Sequence, residues 1–253
     1  MQVAIIGAGA MGTWFAEVTA GWLDPMFVDP DEDRAVAVAN RFDAQSGTLE
    51  EHGSIDVVCT AVPLRKTERI LKEYAPYAER AVIDLSGEMR TPLDAMRTAV
   101  PDCERLSLHA LFAPDHAPGN IAVVGEETGV IYERLRERLA SRDNRVFETT
   151  AEAHDRAMET VQAKVHAAVM AYAMTAKPID ERFHTPISAE LSDLAARMLA
   201  GSPRVYADIQ ATFGGAEDLA EAANAIATAD RDAFEELYRE TAGTFDTRDN
   251  SPE

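Results

Sequence analysis

The chain has 253 residues, with 24 Lys+Arg against 44 Asp+Glu, a formal net charge of −20 and 46% hydrophobic residues. That is length for roughly one or two domains, and too apolar for an intrinsically disordered polymer. Its acidity argues against nucleic-acid phosphates or anionic membrane surfaces as partners, and a lysine count of four (Lys66, Lys72, Lys164, Lys177) against 20 arginines is the balance of a protein kept soluble in strong salt.

Taken in chain order, Val3–Ile6 reads as a buried strand, followed by a glycine turn and a helix through about Thr19. Met26–Asp29 reads as a second strand, with a helix through about Asn40. Ile55–Thr60 and Ala81–Leu85 are further strands, the second after a helix containing Glu68 to Tyr74. Leu106–His109 and Ile121–Val124 follow, then a helix over Tyr132–Ala140. Continuous β-branched runs separated by helices predict a doubly wound parallel sheet covered on both faces. From about Thr150 the pattern is helical throughout: one long alanine-rich helix over 151–176, then 188–200, 203–213, 216–228 and 230–242, with a polar, frayed tail Asp246–Glu253. The expected organisation is an α/β domain over 1–150 and an all-helical domain over 151–253.

Cys59 and Cys103 make neither a disulfide framework nor a metal-ligand spacing, so no metal is expected. Residues 1–16 carry no charge, but they lack a basic start and contain three glycines, which argues against a secretion signal. No stretch approaches the ~18 apolar residues needed to span a bilayer. A soluble cytoplasmic protein is expected.

Gly7-Ala8-Gly9-Ala10-Met11-Gly12 matches G-x-G-x-x-G, with a strand before it and a helix directly after. In that setting Gly7 allows the tight turn, Gly9 lets the backbone approach a pyrophosphate, and Gly12 permits close helix–strand packing. The helix amino terminus supplies N–H groups and partial positive charge to the phosphates. Asp29, 17 residues after Gly12, can accept both ribose hydroxyls of NAD and would repel the 2′-phosphate of NADP, although Arg34 lies nearby. NAD is therefore the expected cofactor. His109 stands at the carboxyl end of its strand, where ligands of open α/β sheets bind, and imidazole suits taking a proton from an alcohol. Asp155, Gln162 and His166 are spaced to share one helix face among apolar neighbours, where polar groups need partners or a ligand.

Four stretches together resemble the prephenate dehydrogenase family of tyrosine biosynthesis. Thr60-Ala61-Val62-Pro63-Leu64 resembles the family's strand and V-P-[IL] beside the nicotinamide. The segment from Asp84 to Leu93 is similar to its D-[LV]-x-S-[VI]-K segment, Leu108 to Pro114 to its H-P-M-F-G-P motif, and Ala153-His154-Asp155 with Gln162 and His166 to its E-H-D…LPH helix. The likeness continues through Thr185-Pro186-Ile187, Arg197, Pro203 and Tyr206–Ile209, so it covers nearly the whole chain. The family serine falls on Gly87, with Ser86 one residue early, and the family lysine falls on Met89.

The resemblance implies NAD-dependent oxidative decarboxylation of prephenate to 4-hydroxyphenylpyruvate. It makes His109 the base, Ser86 a hydroxyl contact, Arg197 the partner of the side-chain carboxylate, and His166 and Gln162 further substrate contacts. It places Val62 and Pro63 at the nicotinamide, and gives His154 the part of holding the nicotinamide or the interdomain cleft. It also implies a homodimer through the C-terminal helices, where Leu191, Leu194, Ala195, Met198 and Leu199 offer apolar faces, and a monofunctional chain without fused chorismate mutase or regulatory domain. Arogenate dehydrogenase, a hydroxyacid or imine reductase of the same plan using Lys164, and a non-catalytic NAD-binding sensor are the alternatives.

Overall fold

In a computed structural model, residues 1–246 are described; the expected frayed tail lies, from residue 247 onward, outside them. The elements are β1 (Gln2–Ile6), α1 (Ala10–Thr19), β2 (Asp24–Val28), α2 (Glu32–Arg41), β3 (Gln45–Ser46), α3 (Leu49–His52), β4 (Ile55–Thr60), α4 (Thr67–Tyr74), β5 (Ala78–Asp84), α5 (Arg90–Ala99), β6 (Glu104–Ala110), β7 (Asn120–Glu126), α6 (Val130–Ala140) and β8 (Arg145–Glu148). Helices α7 (Ala151–Met158), α8 (Val165–Thr175), α9 (Pro186–Leu199), α10 (Pro203–Thr212), α11 (Ala216–Thr228) and α12 (Arg231–Asp246) follow.

The strands form one sheet in the order β3-β2-β1-β4-β5-β6-β7-β8. Alternation along β1 explains its two covered faces. Val3 and Ile5 pack into a layer with Phe15 of α1, Val38 of α2 and Leu135 of α6, whereas Ala4 and Ile6 pack with Leu71 of α4 and with Leu93 and Met96 of α5. The sheet is not wholly parallel, as the apolar runs had suggested: β7 runs antiparallel to β6. The connection 111–119 is shorter than the dozen or so residues a parallel crossover needs, so β7 returns beside β6 by a loop. The two-residue β3 and the four-residue β8 close the edges with short strands, which limits unpaired backbone there.

The expected 151–176 helix is present, but Glu159–Lys164 within it is wound as a π-helix between α7 and α8. Arithmetic at 3.6 residues per turn therefore fails across it, and the seven-residue spacing from Asp155 to Gln162 does not carry the shared face read from the sequence. By packing, the chain forms two compact units. One comprises Met1–Met158 and Ser202–Phe213; the other comprises Glu159–Gly201 and the chain from Gly214 onward.

Within the second unit, α8 and α9 are joined by the Tyr172–Ser192 hydroxyl pair at 2.8 Å, and α9 opens with a capping box between Thr185 and Ser188 after which Pro186 sits at the first turn. Among the described residues Ala163, Val169, Ala195 and Met198 are its buried apolar side chains, while α11 buries none. Large apolar side chains such as Met174, Ile187 and Leu199 stay exposed. Among the described residues no helix is long and apolar enough to cross a membrane.

Candidate functional site

The glycine turn between β1 and α1 is built as its spacing implies. Gly7 has φ +113°, and a Cβ there would stand 2.3 Å from the carbonyl oxygen of Ala61. A Cβ on Gly12 would stand 2.1 Å from the carbonyl oxygen of Gly7. Both positions exclude every side chain by contact with backbone, so they hold the turn and the helix close. Gly9 is different: a Cβ there meets nothing within 4 Å. The open space lies at the N-cap of α1, where the helix dipole and the amides of Ala10 and Met11 favour an anion.

Asp29 follows β2 and ties the two halves of this cradle together. Its Oδ2 accepts from the Ala8 amide and its Oδ1 from the Asp31 amide, both at 2.9 Å. A carboxylate offers about four acceptor positions, so two remain for hydroxyl donors. Arg34, the nearby cation, pairs with Asp31 at 3.1 Å. The cradle therefore fits a dinucleotide with unmodified ribose hydroxyls. Val62 and Pro63 follow β4 half-buried, and the Val62 side chain lies 3.4 Å from the Cβ position of Gly7.

Beyond β4 the strand ends carry a polar cluster. Asp84, fully buried at the end of β5, accepts from Thr60 Oγ1 at 2.7 Å, from the Ser86 amide at 3.0 Å and from Ser86 Oγ at 2.5 Å. Ser86 thus turns inward to hold its own loop, and its hydroxyl also lies 3.0 Å from the Glu88 carbonyl. Met89 is fully buried in the apolar layer with Leu93 and Met96, a place where a lysine would lack any hydration. Gly87 borders His109: a Cβ there would lie 3.5 Å from Nε2.

Burial raises Asp84 to about 6, against the bonds from Ser86 and Thr60, which act in the other direction. The sign follows from linkage: the folded state prefers protonated Asp84, so this stability is complete below about pH 4 and is lost as pH rises through about 6. The gap of about two pH units amounts to ~3 kcal/mol. Asp84→Asn, neutral throughout, is therefore expected to be the more stable protein at pH 8, with the advantage vanishing below about pH 4. Thermal unfolding across that range checks it, and an advantage that persisted unchanged into acid would count against it.

His109 is buried at the end of β6, three strands from β1 in sheet order and so about 14 Å across from the glycine turn at ~4.8 Å per strand. Its Nδ1 lies 2.9 Å from His154 Nε2, and His154 Nδ1 lies 2.8 Å from Asp155 Oδ1. Asp155 in turn accepts the amides of Met89 and Arg90 at 3.0 and 3.1 Å. Burial, then the adjacent His154, push His109 down to about 3, with Asp155 opposing. It is a neutral imidazole in a water-poor place. His154 has both ring nitrogens bonded inside the protein. Asp155, read as part of a polar stripe, is committed to backbone amides and to His154. The adjacent His-Asp pair was the one available signal of this line, and only the pairing across 45 residues reveals its direction.

The other expected contacts belong to the second unit. Gln162 lies in the π-wound segment and His166 in the first turn of α8, both half-buried, and burial lowers the His166 imidazole from its ordinary value. Arg197 is exposed in the last turn of α9, and no carboxylate pairs with it among the described residues. Lys164 is paired with Asp218 at 2.5 Å. No cluster of three or more His, Cys, Asp or Glu able to hold a metal occurs among the described residues.

A family model described as NADP oxidoreductase, coenzyme F420-dependent, matches residues 2–87. The chain is 24% identical to a protein of Methanocaldococcus jannaschii named "Probable arogenate/prephenate dehydrogenase", over 97% of this chain and 61% of that one. It is 28% identical to the 4-amino-4-deoxyprephenate dehydrogenase of Streptomyces pristinaespiralis, over 96% of this chain and 90% of that one. The crystal structure of the prephenate dehydrogenase from A. aeolicus, in complex with hydroxyphenyl propionate and NAD+, superposes with a TM-score of 0.71 at 17% identity, covering 98% of this chain and 97% of that one. The resemblance read from the motifs is thus found again in whole-chain sequence and in fold: a Rossmann-type sheet followed by a helical region.

Proposed function

We propose that the chain is an NAD-dependent dehydrogenase that oxidatively decarboxylates prephenate to 4-hydroxyphenylpyruvate. The observation that carries this is His109, a buried neutral base at the end of β6 on the same sheet edge as the glycine turn. Relatives named for arogenate, prephenate and 4-amino-4-deoxyprephenate support the substrate class, since all three are cyclohexadienes that become aromatic on losing hydride and CO2.

In this reading Gly7–Gly12, Asp29, Val62 and Pro63 hold NAD, with Asp29 favouring it over NADP. NAD, when bound, supplies the hydride acceptor. His109 Nε2 takes the proton of the ring hydroxyl, Ser86 braces the loop beside it through Asp84, and Arg197 binds the side-chain carboxylate with its planar fork. Gln162 and His166 are further substrate contacts. Residues 1–150 serve as the cofactor domain and 151–253 as the substrate and dimerisation domain.

A homodimer through the C-terminal helices is supported by the alanine-rich, mostly apolar α8 and by the exposed Met174, Leu194 and Leu199; size-exclusion chromatography checks it. The location is proposed to be cytoplasmic. A net charge of −20 repels a dianionic substrate at long range, so capture falls to local groups such as the α1 terminus and Arg197. The imine-reductase reading, which uses a lysine as acid, is disfavoured because Lys164 is engaged by Asp218.

The test is NADH formation with prephenate, arogenate or 4-amino-4-deoxyprephenate, alongside titration with NAD and NADP. Substrate-dependent NADH and tighter NAD binding are expected. Binding of NAD with turnover of none of the three would make the protein a sensor instead.

A further inference from the structure

Asp155, His154 and His109 form one hydrogen-bonded line anchored in backbone at its far end. The amides of Met89 and Arg90, where α5 begins, hold the Asp155 carboxylate; Asp155 Oδ1 faces His154 Nδ1, and His154 Nε2 faces His109 Nδ1. The bonding pattern assigns the tautomers. A carboxylate fixed by N–H donors is an acceptor, so His154 carries its hydrogen on Nδ1 and presents a lone pair at Nε2. His109 Nδ1 must then be the donor, which leaves the lone pair of His109 on Nε2, beside Gly87.

We propose that His154 is a positioning residue for His109 and the store for the proton withdrawn from substrate, lent to the enzyme during hydride transfer and returned to the product oxygen. The proposal rests on the dehydrogenase reading above. As hydride leaves the ring carbon, the substrate O–H bond breaks and its electron pair stays on oxygen, forming the carbonyl. The proton bonds to His109 Nε2, and the hydrogen on His109 Nδ1 passes to His154 Nε2. When CO2 departs, its C–C electron pair aromatises the ring and leaves a phenolate oxygen. The two transfers then run backwards and deliver the phenol, so the protein ends as neutral as it began.

The geometry gives this a reason. Buried His109 is disfavoured as the site of a positive charge, whereas His154 lies directly against a carboxylate. Met89 contributes its amide to Asp155 and an apolar side chain to the layer beneath, so it adds no competing charge.

His154→Gln separates the two duties, because a glutamine oxygen can accept from His109 Nδ1–H but cannot take up a proton. We expect kcat to fall about 10²-fold, with KM and NAD affinity within about threefold of wild type. Rates in H2O–D2O mixtures should give a curved proton inventory for the wild type and a straight one for the variant. In the free wild-type protein, 15N NMR should show both histidines protonated at Nδ1.

A variant with kcat within about threefold of wild type, a straight wild-type inventory, or either ring protonated at Nε2 would each overturn the proposal. Should the variant fail to fold, the wild-type inventory and the NMR decide alone. A wild type silent on all three substrates removes the dehydrogenase reading and the relay with it, whereas an active wild type and an unimpaired variant remove the relay only.

Discussion

Replacing His109 with asparagine is expected to lower kcat about 10³-fold while leaving NAD affinity within about twofold. Asparagine approximates the first atoms of the imidazole and keeps a donor toward His154, so the loop after β6 should hold its place. It offers no basic nitrogen to the substrate hydroxyl. The site is buried, so bulk water cannot substitute as acceptor, and hydride loss would build an oxocarbenium-like charge with no relief. NAD affinity is spared because the glycine turn follows β1, three strands away in sheet order. Single-turnover rates with prephenate, together with NAD titration, check this. Wild-type turnover by the variant would remove His109 from the chemistry.

Arg197→Ala is expected to raise KM for prephenate about 10²-fold with kcat within about threefold of wild type. A guanidinium that binds the side-chain carboxylate does so equally before and during hydride loss, because that carboxylate does not react. Such uniform binding shows in KM. Arg197→Lys should recover only part of the loss, since an ammonium cannot match two carboxylate oxygens with a rigid fork. Arg197 is exposed, with no carboxylate partner among the described residues, as suits a cation kept for a ligand. Steady-state kinetics of the two variants check it, and an unchanged KM would make Arg197 an ordinary surface residue.

The legible parts of this chain are those whose causes are local. Ile55–Thr60 is a strand end to end because a run rich in β-branched residues, apolar but for Asp56 and Thr60, suits a sheet covered on both faces. Gly7 and Gly12 could be assigned their duties from spacing alone, and the backbone atoms 2.3 and 2.1 Å from their absent side chains supply the reason. Helix α11 spans the residues its pattern marked, Ala216–Thr228. Ser86 was visible as a hydroxyl near the site, but its inward turn depends on where Asp84 is buried. A hydrophobicity pattern cannot show that pairing.

By itself, then, the sequence determined the Rossmann-type sheet, the helical region after it, the glycine cradle with Asp29, and His109 at a strand end. These follow from periodicities of two and 3.6 residues and from steric rules that act within a few residues. Tertiary structure alone decided that Glu159–Lys164 winds as a π-helix and that His154 faces His109. The histidine line is set by partners far along the chain: His154 meets a ring 45 residues away, and Asp155 meets an amide 66 residues away. A buried polar group takes its role from whichever donor or acceptor the packed fold brings within 3 Å, and that neighbour is a property of the assembled sheet and helices.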